Sequence, residues 1–223
     1  DLKLRLDGRP PSVLAVESFD SDTQGIAESN IVTVLVGDIR NYTNLVRLAD
    51  PNLLQESVNR VFARLEAEVQ SFGGTLKEFQ GDALFAFWEK GLNGCHATSA
   101  CRAALHLENK VRHLAADPAV WSVAGFPLHM DFALATGLVT ISGYGSDGAL
   151  SLSMVGESVV LAFRIEKLAN NKTGPIIVCP ITRQIADTGF KFKDLGKHPL
   201  KGFDEEQSLF ALVKAKRSLQ VRP

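Results

Sequence analysis

The spacing of hydrophobic residues changes along the chain, and each change indicates a different secondary structure. Residues 31–36 form a nearly continuous apolar run rich in β-branched side chains, which is typical of a strand buried on both faces. After Asp50 and Pro51, a favourable N-cap and first helical residue, apolar residues recur at helical spacing as far as Phe72. A pair of glycines follows at once, so we expect the helix to end there.

The remaining pattern predicts a hairpin followed by interspersed helices and strands. Two strand-like runs flank Gln80-Gly81-Asp82, which places Asp82 at the tip of a β-hairpin over residues 75–88. Further helices are predicted at residues 94–116, 157–169 and 181–188, and further strands at residues 127–139, 150–155, 175–179, 190–195 and 208–213. This order predicts an α+β sandwich, with helices on one face of a mostly antiparallel sheet.

The composition is that of an ordinary soluble globular protein with one substantial core. The 223 residues are 45% hydrophobic and 22% charged, and the net charge is only −1, so we expect no nucleic-acid partner. No apolar run approaches the roughly 18 residues of a transmembrane helix. The cysteines, at positions 95, 101 and 179, and the histidines do not match a zinc site, and we predict reduced thiols in a cytoplasmic domain.

The same pattern divides the chain into three segments. Residues 1–29 show no sustained period and are interpreted as a linker or N-terminal lead-in, residues 30–214 as one folded domain, and residues 215–223 as a tail. The sequence begins with Asp1 rather than Met, which suggests a fragment of a longer protein with a regulatory domain upstream.

Two aspartates stand at positions that call for a compensating charge. Asp38 ends an almost entirely apolar strand, and Asp82 follows a glycine that allows a close approach at the hairpin tip. If the first strand pairs beside the hairpin, the two carboxylates converge and offer the hard oxygen ligands that suit Mg²⁺ or Mn²⁺. Spacing alone leaves an alternative open, in which one aspartate caps a helix and the other forms a turn.

Four sequence motifs, two of which contain these aspartates, resemble motifs of class III nucleotidyl cyclases. VLVGDIRNYT over residues 34–43 and GGTLKEFQGDALFAF over residues 73–87 are similar to the two metal-binding segments of that family. MVGESVVLAFR over residues 154–164 resembles the start of its arginine-bearing helix, and Leu200-Lys201-Gly202 its closing Lys-Gly turn. Each motif alone is weak, but their shared order over residues 30–214 is specific. The resemblance implies the ferredoxin-like α+β sandwich of a class III adenylate or guanylate cyclase catalytic domain.

The resemblance also implies a reaction and its metal ligands. Asp38, Asp82 and the backbone carbonyl of Ile39 would bind two Mg²⁺ or Mn²⁺ ions, which activate the ribose 3′-hydroxyl and neutralise the phosphates of a nucleoside triphosphate. The products would be a 3′,5′-cyclic monophosphate and pyrophosphate.

The remaining site residues follow from the same resemblance. Arg164 matches the arginine that stabilises the α-phosphate in the transition state, Lys201 the lysine that contacts the terminal phosphates, and Thr43 belongs to the substrate-binding set. In this family the active site forms between two subunits, which implies a head-to-tail homodimer. Outside the motif context, Arg164 and Lys201 would be interpreted as solvated surface residues.

The base-selecting positions do not match the pattern of any single subfamily. At the position of Glu78, adenylate cyclases have lysine and guanylate cyclases have glutamate. A glutamate accepts hydrogen bonds from guanine. We therefore expect a slight preference for GTP over ATP. Lys77 is one residue away, which in a regular strand puts it on the opposite face. The partner position holds Ser153, whose hydroxyl favours neither base.

The position that binds the ribose in this family differs more strongly from the family pattern. The family's asparagine one helical turn before the arginine is Val160, which cannot form that hydrogen bond. An alternative function is therefore a catalytically degenerate cyclase-like domain that dimerises or senses nucleotide. A diguanylate cyclase is a weak third alternative, because the Gly-Gly-Asp/Glu-Glu-Phe signature is absent.

Overall fold

The computed structural model describes residues 27–91, 95–144 and 151–216, and most of the predicted lead-in and tail lie outside these ranges. The strands are, in chain order, β1 (Glu28–Ile39), β2 (Thr75–Gln80), β3 (Ala83–Glu89), β4 (Met130–Tyr144), β5 (Ser151–Val155), β6 (Ile176–Val178), β7 (Phe190–His198) and β8 (Gln207–Ala215). The helices are α1 (Tyr42–Leu48), α2 (Pro51–Ser71), α3 (His96–Ala115), α4 (Glu157–Glu166) and α5 (Pro180–Ala186). All of them except α1 were predicted, with shifted ends.

All eight strands belong to one sheet, and the sheet is mostly antiparallel, as predicted. The strand order is β2-β3-β1-β4-β6-β8-β7, with β5 paired to β4, and only β4 and β6 run parallel. β1 lies between β3 and β4, which explains its continuous apolar sequence, because a central strand covered on both sides is buried at every position.

Helices cover both faces of this sheet, and the expectation that they share one face was wrong. Leu35 of β1 packs in a core with α2 and α3, whereas its neighbour Val34 packs in a second core with α4. Successive side chains of a strand point to opposite faces, so a strand that is apolar at every position requires cover on both. We call these the α2/α3 face and the α4 face.

Local sequence explains how α2 is joined to the hairpin. The Asp50 carboxylate accepts a hydrogen bond from the Leu53 backbone N–H at 2.9 Å, which confirms the predicted N-cap. After the helix, Gly74 lies against the Trp88 indole, where a Cβ would come within 2.5 Å of the ring. This close approach brings β2 alongside β3 and sets the position of the hairpin tip. None of the helices within the described ranges combines the length and apolar character needed to cross a membrane.

Candidate active site

The hairpin tip docks at the end of β1, as its sequence predicted. Antiparallel pairing of β1 with β3 places Asp38 opposite Ala83, the residue after Asp82. The Ile39 backbone N–H donates to the Asp82 carbonyl oxygen at 3.2 Å, which ties the strand end to the turn. Gly81 supplies the turn with a φ of +64°, in the region that favours glycine. The two aspartates are therefore brought together by sheet register rather than by a loop.

The carboxyl groups of Asp38 and Asp82 interact directly. Burial, the hydrogen bond to Asp38 and the negative charge of Asp38 together raise the pKa of Asp82 from 3.8 to about 7. Two ionised carboxylates in direct contact repel one another unless a proton or a cation lies between them. Such a pair is a favourable place for a positive charge.

A lysine from α4 supplies one such charge. The Nζ of Lys167 lies 2.5 Å from Oδ2 of Asp38 and 2.9 Å from Oε2 of the buried Glu166. Burial lowers the pKa of Lys167, but its hydrogen bonds to Asp38 and Glu166 outweigh burial and raise that pKa overall. Burial also raises the pKa of Glu166, and Lys167 opposes that effect. The other oxygen of Asp38, Oδ1, is buried and has no hydrogen-bond partner.

A second cation holds the neighbouring carboxylate. Arg40, two residues after Asp38, binds the buried Asp131 through Nε at 2.8 Å and Nη2 at 2.5 Å, and its Nη1 donates to Asn171 at 2.6 Å. Asp131 lies directly opposite Asp38 in the β1–β4 register, so both side chains occupy the same face of the sheet. The bidentate pair ties the end of β1 to β4, and the hydrogen bond to Asn171 ties it to the turn after α4.

The charge balance and the donor set fit a divalent cation. Within the described residues, Lys167 and Arg40 are the basic side chains that contact the four acidic groups of the cluster, which are Asp38, Asp82, Asp131 and Glu166. The cluster therefore carries an excess of negative charge when all its carboxyl groups are ionised. No group of three or more Cys, His, Asp or Glu side chains within the described ranges is placed to hold a metal. Metal ions at Asp38 and Asp82 would therefore need further oxygens, such as the Ile39 carbonyl, water or phosphate.

The phosphate-binding residues implied by the motifs lie apart from this cluster. Arg164 is exposed on α4, on the same helix face as Val160, whose side chain is 48% exposed. Lys201 and Thr43 are exposed as well, on the turn before β8 and on α1. Within the described part of the chain, no hydrogen bond or ion pair joins Arg164, Lys201 or Thr43 to either aspartate. One subunit thus presents two separate sets of predicted site residues.

A bulge in β2 interrupts the regular alternation between Lys77 and Glu78. The register of β2 against β3 shifts between Leu76 and Glu78, so the strand is not regular at this point. The Nζ of Lys77 lies 5.2 Å from the centre of the Phe85 ring, and that ring packs against Phe163 on the α4 face. The Lys77 ammonium group therefore lies on the α4 face. It occupies the face that also carries Asp38.

The other base-selecting positions are only partly described. The backbone of Glu78 pairs with Phe85, but its side chain lies outside the described part of the structure. Ser153 is half-buried in β5 opposite Ser142 of β4, and its neighbours Leu152 and Met154 pack into the core of the α4 face. By the alternation of a strand, Ser153 points away from that core.

Several charged residues of the cluster were missed from sequence. Lys167 follows Arg164 by three positions, so helical spacing alone would have placed it near the same face. Asp131 begins an apolar strand, just as Asp38 ends one, and this shared signal could have identified it. Glu166 carried no such signal, because a charged residue near the end of a helix is usually solvated.

Comparisons with known proteins identify the family of this chain. A sequence model of the adenylate and guanylate cyclase catalytic domain matches residues 26–214. Adenylate cyclase 1 of Rhizobium meliloti is 26% identical over 192 residues, covering 84% of this chain and 28% of its own length. The chain thus spans less than a third of that relative.

Solved structures resemble the whole described domain. The adenylyl cyclase CyaB of P. aeruginosa superposes with a TM-score of 0.75 at 22% identity, covering 87% of this chain and 99% of that one. The guanylate cyclase domain of RhGC from Catenaria anguillulae, solved with GTP, gives a TM-score of 0.74 at 21% identity, covering 85% and 100%. The fold, the order of the motifs and the match over residues 26–214 agree, and the chain belongs to the family of adenylate and guanylate cyclase catalytic domains.

Proposed function

We propose that this domain converts a purine nucleoside triphosphate into its 3′,5′-cyclic monophosphate and pyrophosphate, as a phosphorus–oxygen lyase in cyclic-nucleotide signalling. The observation that carries the proposal is the convergence of Asp38 and Asp82 at the end of β1 and the tip of the β2–β3 hairpin. A buried, partnerless Asp38 oxygen beside a second carboxyl group destabilises the protein unless a cation compensates it. This arrangement is explained by a metal-dependent function.

In this proposal Asp38, Asp82 and the Ile39 carbonyl hold two Mg²⁺ or Mn²⁺ ions. When bound, these ions supply the charge that favours a ribose alkoxide and neutralises the phosphate oxygens. The protein's own part is to fix both carboxylates on paired strands, so that little rearrangement is needed when the substrate arrives. Arg40 contributes by immobilising the strand end through Asp131.

The exposed residues act on the phosphates and ribose of the same nucleotide from another subunit. Arg164 and Lys201 are exposed basic residues and form no ion pair with Asp38 or Asp82 in the described part of the chain, which supports a head-to-tail homodimer with shared sites. Arg164 would stabilise the α-phosphate, Lys201 the terminal phosphates, and Thr43 would assist in substrate binding. A single chain then contributes to two sites and completes neither.

The choice of base rests on Glu78, Lys77 and Ser153. A glutamate favours GTP, because it accepts hydrogen bonds that guanine can donate. The Lys77 ammonium lies on the α4 face, where it could donate to adenine instead. We therefore retain the preference for GTP and expect measurable use of ATP. A cytoplasmic location is in keeping with this function and with the free, buried thiols of Cys101 and Cys179.

Val160 favours a second candidate, a degenerate domain that binds nucleotide or dimerises without turnover. Its side chain is exposed beside Arg164, where a residue that contacts the ribose is expected, and it offers no hydrogen bond. Incubation with Mn²⁺ and each of ATP, GTP, CTP and UTP, followed by mass spectrometry of the products, separates the two functions. Cyclic GMP or cyclic AMP is expected, with a rate that rises faster than linearly at low protein concentration. Absence of cyclic product at every concentration would favour the degenerate domain.

A further inference from the structure

Lys167 contacts one of the two oxygens through which Asp38 would bind a metal ion. Its ammonium group lies 2.5 Å from Asp38 Oδ2, whereas the Asp38 carboxylate is only 18% exposed. A magnesium ion bound to the same oxygen at about 2.1 Å would lie within about 5 Å of that ammonium group. Two cations at this distance in a partly buried site repel each other strongly. Metal and lysine therefore compete for this oxygen of Asp38.

The lysine is free to leave, while its partners are not. The Lys167 side chain is 65% exposed and extends from the end of α4, whereas Glu166 is 6% exposed and Asp38 is held in the sheet. The other basic group of the cluster, Arg40, is committed to Asp131 and Asn171. Within the described ranges, Lys167 is thus the one cation that contacts Asp38, and it can swing into solvent without unfolding its surroundings.

We propose that Lys167 is an internal competitor for the metal position at Asp38, which holds the carboxylate in the metal-free protein and must swing away when a divalent cation binds. This inference rests on the proposed function, since it takes Asp38 to be a metal ligand. The lysine stabilises the empty site against carboxylate repulsion. It also raises the concentration of divalent cation that the domain needs, and so sets a threshold for activity.

The first test measures Mn²⁺ binding by electron paramagnetic resonance, with Mn²⁺ as the only ligand. Lys167→Met removes the charge and keeps the length of the side chain, and we expect its dissociation constant for Mn²⁺ to fall roughly five- to tenfold. Lys167→Arg keeps the charge and should bind Mn²⁺ nearly as weakly as the unaltered protein. Lys172→Met removes an exposed lysine from the turn after α4 and should change nothing. Equal or weaker Mn²⁺ binding by Lys167→Met would overturn the proposal.

A second measurement uses the unaltered protein and does not depend on the folding of a variant. Acetic anhydride modifies uncharged amines, so an ammonium group paired with two carboxylates reacts slowly. Adding Mn²⁺ should increase the acetylation of Lys167 at least about threefold, because the lysine loses Asp38, and should leave Lys172 unchanged. Constant or reduced acetylation of Lys167 would contradict the displacement.

The outcomes separate this inference from the proposed function. Formation of cyclic nucleotide together with unchanged Mn²⁺ binding in Lys167→Met would refute the competitor and leave the cyclase intact. Tighter Mn²⁺ binding in that variant without any cyclic product would establish the competitor and refute the cyclase.

Discussion

The end of β1 and the exposed side of α4 hold their charges in opposite ways. At the end of β1, Asp38 and Asp82 are partly buried and contact cations or carboxyl groups of their own chain. On α4, Arg164 is exposed beside Val160 and forms no ion pair within the described residues. The first region is organised before any ligand arrives. The second has charge without a partner, which is expected of a surface that completes a site on another molecule.

This contrast explains why one half of the proposed site is assembled within a single chain, whereas the other half is not. Buried carboxylates are tolerated only where neighbours compensate them, so their geometry has to be built into the fold. Exposed cations cost little in free energy and need no such support. In the proposed site, the metal half would therefore depend on the sheet, whereas the phosphate half would depend on assembly.

The largest effect should follow from removing an aspartate. Asp38→Ala or Asp82→Ala should lower cyclase turnover at least about a hundredfold, because each variant loses a ligand of the charged site. Circular dichroism should show an unchanged fold. Asp204→Ala, which removes an exposed carboxylate outside the cluster, serves as the matched control and should retain full activity. Normal turnover in either aspartate variant would refute the metal assignment.

Mixing two inactive variants tests whether the two regions act across subunits. Arg164→Ala alone should be nearly inactive, like Asp38→Ala, because it loses transition-state charge stabilisation. Random reassociation makes half of the dimers mixed, and each mixed dimer has one intact site, so about a quarter of the original activity should return. Native mass spectrometry verifies that mixed dimers have formed. Verified mixed dimers without activity would mean that both regions act within one chain.

The preference for one base over the other should be a smaller effect than the losses of activity in the Asp38, Asp82 and Arg164 variants. We expect kcat/KM for GTP to exceed that for ATP by roughly tenfold, because adenine leaves the Glu78 carboxylate without a donor. Glu78→Lys combined with Ser153→Asp should invert this order. Lys77→Met should leave the ratio unchanged if Glu78 reads the base. A preference for ATP that disappears in Lys77→Met would show that Lys77, rather than Glu78, recognises the base.

The smallest effect concerns stability in the presence of a chelator. The folded protein keeps a proton on Asp82 up to a pH of about 7, whereas the unfolded chain loses it near pH 3.8. The folded state thus binds more protons between these values, and the contribution of Asp82 to stability falls as the pH rises through this window. Asp82→Asn should remove this loss and raise the melting temperature at pH 8 by about 3–6 °C, since Asp82 is only partly buried.

Differential scanning fluorimetry from pH 5 to pH 8 measures this effect. At pH 5, where Asp82 is protonated in the folded state, the unaltered protein and Asp82→Asn should differ less than at pH 8. A difference that does not change with pH would mean that the two carboxyl groups do not repel one another. Asp204→Asn serves as the exposed control here.

Much of the fold could be predicted because its signals are local. The β-branched run of β1 and the Asp50-Pro51 start of α2 each follow from the preferences of a few neighbouring residues. The hairpin at Gly81-Asp82 is equally local. The short helix α1 was missed, since its seven residues are too few to show a helical period and its first turn contains no acidic residue.

The sequence alone was sufficient to identify the cyclase motifs and to place Asp38 and Asp82 at the ends of paired elements, because strand ends and turns are encoded by adjacent residues. It could not predict that Lys167 from α4 reaches Asp38, or that Arg40 binds Asp131, since these contacts join segments about a hundred residues apart. Nor could it predict the bulge that places Glu78 opposite Phe85. Such features arise when distant strands and helices pack together, and side-chain pairing then depends on register and on which face each helix covers.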